Sequence, residues 1–350
     1  MKGRRTGRRH TTSRGAPKPH SGDARPTLED VARRAGVSTA TVSRVINTPG
    51  KVAESTVSRV RSAIEQTGYV PNLLAGGLAS NRSRFVAALV PSIASSIFND
   101  TMEAMSHALS NEGYLVMLAL LEDGPRHAAM LDAVMGRRPD GLILTSIEDD
   151  AATRAKLKRS GSPIIETWAL PASPIDLVVG FSHRDVGREL ARHIRALGYK
   201  RPLLLSAGMR RASERTETFA RTWVRQGGAE PARLIVESPM RYGPARTSLG
   251  AFLDGGGKAD IVVCSSDWLA DASVLEARAR GLAVPKDIAV FGFGDMHMSS
   301  EGALALSTVR IDGSVIGHTA AAMLLDRAAG RTIAEPIVDV GFEIIDRKSA

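Results

Sequence analysis

The chain has 350 residues, 43% hydrophobic but only 4% aromatic, so it is long enough for two or three domains with mainly aliphatic cores. The single cysteine, Cys264, excludes an intrachain disulfide, and no apolar run reaches the roughly 18 residues of a membrane-spanning helix. The basic stretch "MKGRRTGRRHTTSRG" is not followed by an apolar segment, so we expect no secretory signal and a cytoplasmic protein.

The net charge of +9 is concentrated near the start of the chain. Residues 1–25 hold eight Lys or Arg and one Asp, and residues 26–82 hold seven basic and four acidic residues. Residues 83–350 hold 31 basic and 32 acidic residues and are almost neutral. A solvated, disordered tail is one interpretation of residues 1–25. The other is a segment that binds a polyanion, because Lys and Arg side chains release counterions from phosphates.

Two short helices are predicted directly after this tail. The segment "TLEDVARRAG" places Thr27 and Asp30 close to a capping box and ends with Gly36, which tolerates a positive φ. Ser38 is a good N-cap for a second helix that runs to Ile46. Apolar residues in this second helix recur at three- and four-residue spacing, which predicts one buried stripe and one polar face. A third helix is predicted over residues 54–66.

The spacing of small and branched residues in these helices is that of a helix-turn-helix motif. Ala32 is small where the helices cross, Gly36 lies in the turn, and Val42 is a branched apolar residue of the second helix. An ordinary helical hairpin is the alternative, but the basic charge of the region favours DNA binding. In a helix-turn-helix, the first turn of the second helix enters the major groove, where short hydroxyl side chains reach bases or phosphates.

The segment "PNLLAGGLAS" follows the third helix. Pro71 interrupts the chain, and Asn72 can cap a short helix through Leu78. Gly76 and Gly77 each lower helix stability by about 1 kcal/mol relative to Ala, so this helix has too little local helicity to stay folded alone. A flexible linker in which Leu78 is incidental is the alternative.

The blocks "TLEDVARRAGVSTATVSRVIN" and "GYVPNLLAGGLAS" resemble, in order and separation, the headpiece and hinge helix of the lactose/galactose repressor family of bacterial transcription regulators. The resemblance implies that Leu78 and its twin from a second subunit unstack a base step in the minor groove. It implies that bases are read by Thr39, Ala40 and Arg44, and that phosphates lie near Ser38, Ser43 and Asn47. The DNA-binding residues that we predict are Thr27, Ser38, Thr39, Ala40, Thr41, Ser43, Arg44, Asn47, Asn72, Ala75 and Leu78.

From Arg84 onward, short aliphatic runs alternate with amphipathic segments. The runs are typical of buried parallel strands: "FVAALV", "YLVMLALL", "DGLILT", "SPIIE", "IDLVVGF", "RPLLLSAG", "ARLIVE", "ADIVVC" and "DIAVFGF". Helices are predicted between most of them, for example over residues 98–112, 184–197 and 266–280. This alternation predicts an α/β body of two doubly wound lobes, on either side of about residue 182, with ligands bound at the carboxyl ends of strands.

The domains predicted from these patterns are four. They are a disordered basic tail (1–25), a small all-α helix-turn-helix headpiece (26–70), a hinge helix and linker (71–83), and a two-lobed effector-binding and dimerisation domain (84–345).

The resemblance covers the chain from Pro26 onward and implies a body like periplasmic sugar-binding proteins, with a small effector in the cleft. Arg215 would face an anion or a polyol oxygen, and Asp267 would accept hydrogen bonds from sugar hydroxyls. Phe98 and Tyr242 would cover apolar faces of the ligand. A surface salt bridge is the alternative for Arg215, and an N-cap is the alternative for Asp267. The predicted effector-binding residues are Ser92, Phe98, Glu166, Phe181, Arg215, Tyr242 and Asp267.

Several sequence features bear on the identity of the effector. Phe219 and Trp168 stand where many family members have an arginine and an aspartate, which argues against a cyclic sugar held by those charges. The segments "DGLILT", "SPIIETW", "IDLVVGFSH" and "ERT" are closest to the gluconate-operon repressor branch. They predict an open-chain sugar acid, gluconate or a keto- or phospho-relative, whose carboxylate pairs with Arg215. Glu166 would repel that carboxylate unless it accepts hydroxyl protons, and a neutral sugar or a purine is the alternative effector.

We therefore predict a transcription regulator, a repressor that binds a pseudo-palindromic DNA operator as a homodimer and responds to a small sugar acid. No cofactor, metal, membrane partner or catalytic residue is expected. "DGGGKAD" lacks the first glycine and the Ser or Thr of a phosphate-binding loop, no G-x-S-x-G motif occurs, and Asp295 and His297 lack a third metal ligand. A sugar-metabolising enzyme fused to a DNA-binding headpiece and an architectural DNA-bending protein are the alternatives.

Overall fold

The structure, a computed structural model, describes residues 25–71, 83–92, 96–120, 126–145, 150–237, 241–296 and 305–350. The chain divides into two units, Met1–Asn81 and Arg82–Ala350. The predicted hinge residues Asn72, Ala75 and Leu78 lie outside the described residues.

The first unit contains the three predicted helices. A reciprocal capping box of Thr27 and Asp30 starts the first helix, and Gly36 ends it at φ 64°. The Ser38 hydroxyl accepts a hydrogen bond from the Thr41 backbone N–H and so caps the second helix. The predicted caps are therefore confirmed. The helices are α1 (Leu28–Ala35), α2 (Thr39–Asn47) and α3 (Glu54–Thr67), with a 3-10 turn at Pro49–Lys51.

Small and branched aliphatic side chains form the core of this unit. Val31, Val42 and Val60 are fully buried, one from each helix, and Ala32 and Ala35 pack against them. Because α2 contributes only one apolar stripe to this core, its other side chains are left on the surface.

The second unit contains two parallel sheets. All nine predicted strands are present, but the prediction that they are buried is wrong for residues 115–120 and 232–236, because these two runs form edge strands with exposed side chains. The strands of the first sheet are β1 (Phe85–Val90), β2 (Leu115–Leu120), β3 (Gly141–Leu144), β4 (Ile164–Thr167), β5 (Leu177–Gly180) and β11 (Ile337–Asp339). The strands of the second are β6 (Pro202–Ala207), β7 (Ala232–Val236), β8 (Ile261–Cys264) and β9 (Ala289–Phe291). The first sheet has the strand order β11-β5-β4-β3-β1-β2, and the second has the order β7-β6-β8-β9.

Helices cover the two sheets. They are α4 (Asn99–Asn111), α5 (Arg126–Met135), α6 (Ala151–Arg159), α7 (His183–Ala196), α8 (Arg210–Arg225), α9 (Tyr242–Asp254), α10 (Asp267–Ala279) and α11 (Gly313–Ala328). The helices predicted over 98–112, 184–197 and 266–280 are confirmed as α4, α7 and α10. No helix of the described residues is long and apolar enough to cross a bilayer.

The lobes are not separated at a single point of the chain, as the sequence analysis expected. The chain leaves the six-stranded sheet after β5, returns to it through α11 and β11, and leaves again for β12 (Glu343–Ile345), which pairs antiparallel with β10 (Thr308–Arg310). α11 packs on α4, where Gly317 allows the backbones to approach closely. The prediction of one boundary near residue 182 is therefore wrong, because late segments complete the first lobe.

The carboxyl ends of strands from both sheets meet at one cavity. Ser92 follows β1, Trp168 follows β4, and Ala207 ends β6. Ser265 follows β8, and Phe293 follows β9. This arrangement is the one expected for ligand sites in parallel α/β sheets.

Candidate functional sites

α2 presents one polar face. Val42 and Val45 are buried, whereas Thr39, Ala40 and Arg44 are exposed. The residues that form this face recur four apart, as required for one side of a helix. α2 contains no acidic residue, so the face is neutral except for the positive charge of Arg44.

Several hydroxyl and amide groups of this face are engaged locally. The Ser38 and Thr41 hydroxyl oxygens lie 3.0 Å apart, and Asn47 Nδ2 donates to the Ser43 carbonyl at 2.9 Å. Thr27, the predicted DNA-binding residue at the start of α1, is also engaged, since its Oγ1 donates to Asp30 Oδ2 at 2.7 Å within the capping box. These bonds hold short side chains in place but leave other lone pairs and protons available to a partner.

The cavity between the strand ends has a volume of about 340 Å³. This is at the lower end of the roughly 300–1,000 Å³ of small-molecule sites. Of the predicted effector residues, Ser92, Phe98 and Arg215 line it together. Other described residues of the lining were not predicted, and those with polar or charged side chains include His183, Arg211, Glu237, Ser265 and Ser266.

Arg215 lies on α8 and is only 9% exposed. Its Nη1 donates to His183 Nδ1 at 2.9 Å, and its Nη2 donates to the Ser265 carbonyl at 2.8 Å. The guanidinium lies 3.7 Å from the centroid of the Phe293 ring. Burial, and then the charge of Arg211, lowers the pKa of Arg215 to about 9. Arg215 is therefore still positively charged at neutral pH, and it is not the surface salt bridge considered from the sequence.

His183 connects Arg215, in the lobe with the four-stranded sheet, to the Trp168 carbonyl, in the lobe with the six-stranded sheet. Because Arg215 donates to Nδ1, His183 must carry its proton on Nε2, which lies 2.9 Å from the Trp168 carbonyl and donates to it. Burial, followed by the charges of Arg215 and Arg211, holds the pKa of His183 well below its usual value of 6.5. The neutral imidazole can therefore accept from a cation and donate to a carbonyl at the same time.

Trp168 has a backbone conformation that is rare for a large side chain, with φ of 66°. Its carbonyl accepts from His183 and, at 3.4 Å, from Arg211 Nη1. Its indole Nε1 donates to Thr101 Oγ1 at 3.1 Å, and its ring meets Phe98 edge-on at 5.2 Å between centroids. Trp168 and Phe98 thus form an aromatic wall of the cavity.

Arg211 lies one helical turn before Arg215, on the same side of α8. Burial lowers its pKa to about 10, so it too is charged at neutral pH. Its guanidinium lies 5.7 Å from the centroid of the Phe98 ring.

Four predicted effector residues do not line this cavity. Phe181 is fully buried and packs against Trp168 and His183, so it supports the lining from behind. Tyr242 is the first residue of α9 and packs on Trp268.

The two predicted acidic residues are held in other networks. Glu166 Oε2 accepts from the Ile175 backbone N–H at 2.6 Å, and Oε1 lies 3.7 Å from Arg154 Nη1. Asp267 is fully buried, and it accepts from Thr308 Oγ1 at 2.7 Å and from the Met296 N–H at 2.9 Å. Ser266, not Asp267, caps α10. Burial raises the pKa of Asp267 to about 6.

No cluster of possible metal ligands occurs among the residues that the structure describes. Asp295 is paired with Arg310 at 2.7 Å and with Arg347 at 2.6 Å, while His297 lies outside the described residues.

Comparison with known proteins identifies the family. Residues 27–72 match the model of bacterial regulatory proteins of the lacI family, and residues 191–350 match a periplasmic binding protein-like domain. The HTH-type transcriptional regulator GntR of Pseudomonas aeruginosa is 35% identical over 93% of this chain and 96% of its own length. The chain belongs to the lacI family of bacterial regulatory proteins. It is a DNA-binding transcriptional regulator, and the predicted family and branch are confirmed.

Solved structures of family members agree with the fold. A LacI family transcriptional regulator from Silicibacter pomeroyi superposes with a TM-score of 0.86 at 29% identity, covering 93% of this chain and 99% of the other. The lac repressor dimer bound to operator and the anti-inducer ONPF superposes with a TM-score of 0.80 at 25% identity, with coverage of 93% and 99%. The predicted fold class, a helical headpiece followed by a two-lobed α/β body, is confirmed.

Two lining residues that the sequence analysis did not predict could have been found from sequence patterns. Arg211 stands four residues before Arg215 in "RRASER", which places both on one side of a helix. His183 directly follows the predicted strand "IDLVVGF" and its serine, at the strand end where parallel sheets bind ligands. Neither pattern assigns its residue to the cavity until the order of the strands in the sheets is known.

The buried neutral state of His183 predicts a pH dependence of stability. The unfolded chain takes up a proton below pH 6.5 that the native protein does not, so the stabilising contribution is complete above pH 6.5 and falls with decreasing pH. For one proton, each pH unit below pH 6.5 lowers the free energy of unfolding by about 1.4 kcal/mol. Between pH 7 and pH 5, the free energy of unfolding should fall less in His183→Gln than in the native protein, by up to about 2 kcal/mol. Urea unfolding followed by tryptophan fluorescence measures this difference.

His107→Gln is the matched control, because His107 is exposed on α4. It should lose stability in parallel with the native protein. An unchanged pH dependence in His183→Gln would show that His183 takes up a proton as readily in the folded protein as in the unfolded chain.

Proposed function

We propose that this regulator is a homodimeric repressor that binds a pseudo-palindromic operator through α2 and is controlled by a small sugar acid. We further propose that it binds this ligand without turnover and is not an enzyme. The observation that carries the effector proposal is a positively charged, buried Arg215 at the strand ends, held by neutral partners in a cavity of ligand size. The predicted division into residues 1–25, 26–70, 71–83 and 84–345 is kept as the domain plan of this proposal.

The exposed face of α2 supports the DNA-binding part. A face of short hydroxyls with one arginine suits the major groove, where arginine binds guanine through two hydrogen bonds and hydroxyls reach several base edges. The absence of acids from α2 removes repulsion from phosphates. We assign base reading to Thr39, Ala40 and Arg44, as the family resemblance implies.

An apolar sheet edge supports the dimer. β2 is an edge strand of the six-stranded sheet, and Leu115 and Leu118 are 64% and 53% exposed. Met117 and Leu120 are also exposed on this strand. Exposed apolar edge strands are rare in monomers because they pair with other chains, and a second copy would cover this edge. A two-fold dimer would supply the two recognition helices that a pseudo-palindromic operator requires.

The contacts of Glu166 support an acidic effector. A carboxylate directed at the ligand would repel a sugar acid, but the Glu166 carboxylate is engaged by Ile175 and Arg154 and does not line the cavity. Arg215 retains further N–H donors for a carboxylate, since a guanidinium has five and the observed bonds use two. Ser92 and Ser265 line the same cavity and are suited to the hydroxyl groups of an open-chain acid.

Arg44→Ala tests the assignment of base reading. On duplexes selected from random DNA by the purified protein, loss of a bidentate arginine–guanine contact should cost about 1–3 kcal/mol, or roughly 5- to 150-fold in affinity. Arg61→Ala removes the same charge from an exposed position on α3 and should change affinity less than about threefold. Equal losses in the two variants, measured by gel shift at one salt concentration, would reduce Arg44 to a nonspecific charge.

Leu78→Ala tests the hinge, which is proposed from the sequence alone. Removing an apolar wedge from the minor groove should lower operator affinity strongly and leave effector binding unchanged. Replacing Gly76 and Gly77 by alanine should raise affinity and weaken the effector response, because the helix would be partly formed before binding. If Leu78→Ala binds the selected operator as tightly as the native protein, residues 71–83 act only as a linker.

Calorimetric titration with aldonic acids, neutral hexoses and purines tests the effector proposal. Gluconate or a related sugar acid should bind, and Arg215→Gln should weaken it about 10- to 100-fold through loss of a charge-assisted hydrogen bond. Mass spectrometry of the recovered ligand should show no turnover. Binding of a purine or a neutral hexose, with no response to any acid, would refute the proposal, and Arg215→Lys distinguishes lost charge from lost geometry.

A further inference from the structure

Two guanidinium groups share the cavity without a carboxylate partner among the described residues. Arg211 and Arg215 are four residues apart on α8, and both line the cavity. Three exposed arginines nearby on α7 differ from them, since each of the three has an acidic partner. Those pairs are Arg184 with Glu214, Arg188 with Asp185, and Arg192 with Glu189.

The groups that hold the two arginines are all neutral. Arg215 contacts His183, the Ser265 carbonyl and the Phe293 ring. Arg211 contacts the Trp168 carbonyl at 3.4 Å, which is long for a hydrogen bond, and the Phe98 ring. The negative charge that acts on Arg215, that of Glu214, is itself paired with Arg184. Taking a charge out of water is unfavourable unless an opposite charge accompanies it, so an anionic ligand would stabilise this region.

The start of α8 adds to the positive potential. Met209, Arg211 and Ala212 line the cavity, so the helix begins at its wall. No acidic residue stands in the first turn of α8, and its N-cap residue, Met209, provides no side-chain hydrogen bond to the helix. Arginines at a helix N-terminus oppose the helix dipole, which makes the arrangement unfavourable until an anion binds.

We infer that the effector carries at least two negative charges and that Arg211 is the residue that binds the second. This inference rests on the proposed sugar-acid function and deepens it. A monocarboxylate would compensate Arg215 alone, whereas a second carboxylate or a phosphate ester on the same molecule would compensate both. Both sources share the chemistry of adjacent anionic oxygens facing two guanidinium forks.

Glu237 is the acidic side chain of the described lining. It is exposed and directly follows β7. Its negative charge opposes a dianion, so Glu237→Gln should tighten binding of the more highly charged ligands.

The test is calorimetric titration of the full chain at pH 7.5 and constant ionic strength with gluconate, glucarate and phosphogluconate. At least one of the two more highly charged acids should bind ten times more tightly than gluconate, and the pair distinguishes a carboxylate from a phosphate. Arg211→Gln should reduce that preference below threefold, because it should weaken binding of the more highly charged acid more than binding of gluconate. Arg210→Gln is the matched control, because it removes an exposed charge from the adjacent residue, which does not line the cavity, and it should retain the preference.

The outcomes separate the two proposals. If gluconate binds as tightly as both other acids, the inference is overturned while the sugar-acid regulator stands. If none of the three binds, the proposed effector class fails and the inference fails with it. Equal loss of preference in Arg210→Gln and Arg211→Gln would overturn the assignment to Arg211. Thermal unfolding of ligand-free Arg211→Gln, expected at or above the native unfolding temperature because an uncompensated charge is removed, excludes a folding defect.

Discussion

The hydrogen bond between Arg215 and His183 is the contact on which the arrangement of the cleft depends. Arg215 lies on the helix that follows β6 of the four-stranded sheet, whereas the Trp168 carbonyl that fixes His183 follows β4 of the six-stranded sheet. A neutral imidazole is suited to this position because it accepts at one nitrogen and donates at the other. The burial that keeps His183 neutral therefore also orients a cation, and it connects the two lobes through three side-chain and main-chain groups.

The Trp168 carbonyl is the fixed end of this series of hydrogen bonds, and it is held there by a strained backbone conformation. A left-handed conformation in a non-glycine residue persists only where the surroundings impose it. Here the Trp168 N–H donates to Val179 of β5, and Gly180 lets β5 lie directly against Ala169, whose backbone would overlap a Cβ at that position. The strained backbone of Trp168 and the missing side chain of Gly180 therefore act together. They place the Trp168 carbonyl where it accepts from His183 and Arg211.

Local patterns were sufficient for most of the fold. The strands "FVAALV" and "ADIVVC" and the caps at Thr27 and Ser38 depend on neighbouring residues, so the sequence predicts them directly. The site was predicted less completely, because its polar groups meet only after distant segments pack. Glu166 was assigned to the effector, but its carboxylate is taken by Arg154 and Ile175, which no spacing rule connects to it. β11 also escaped prediction, since "IVD" is short and has exposed side chains.

The late insertion of α11 and β11 into the first lobe has a consequence for the order of folding during synthesis. Leu324 of α11 packs over Gly141 of β3, and β11 pairs with β5, so the six-stranded sheet lacks its cover and one edge until residues near 339 have left the ribosome. The helices of the headpiece, by contrast, depend on contacts close in sequence and can form as soon as they emerge. The DNA-binding unit should therefore acquire its structure on the nascent chain well before the α/β body, whose long-range pairings are slow to form.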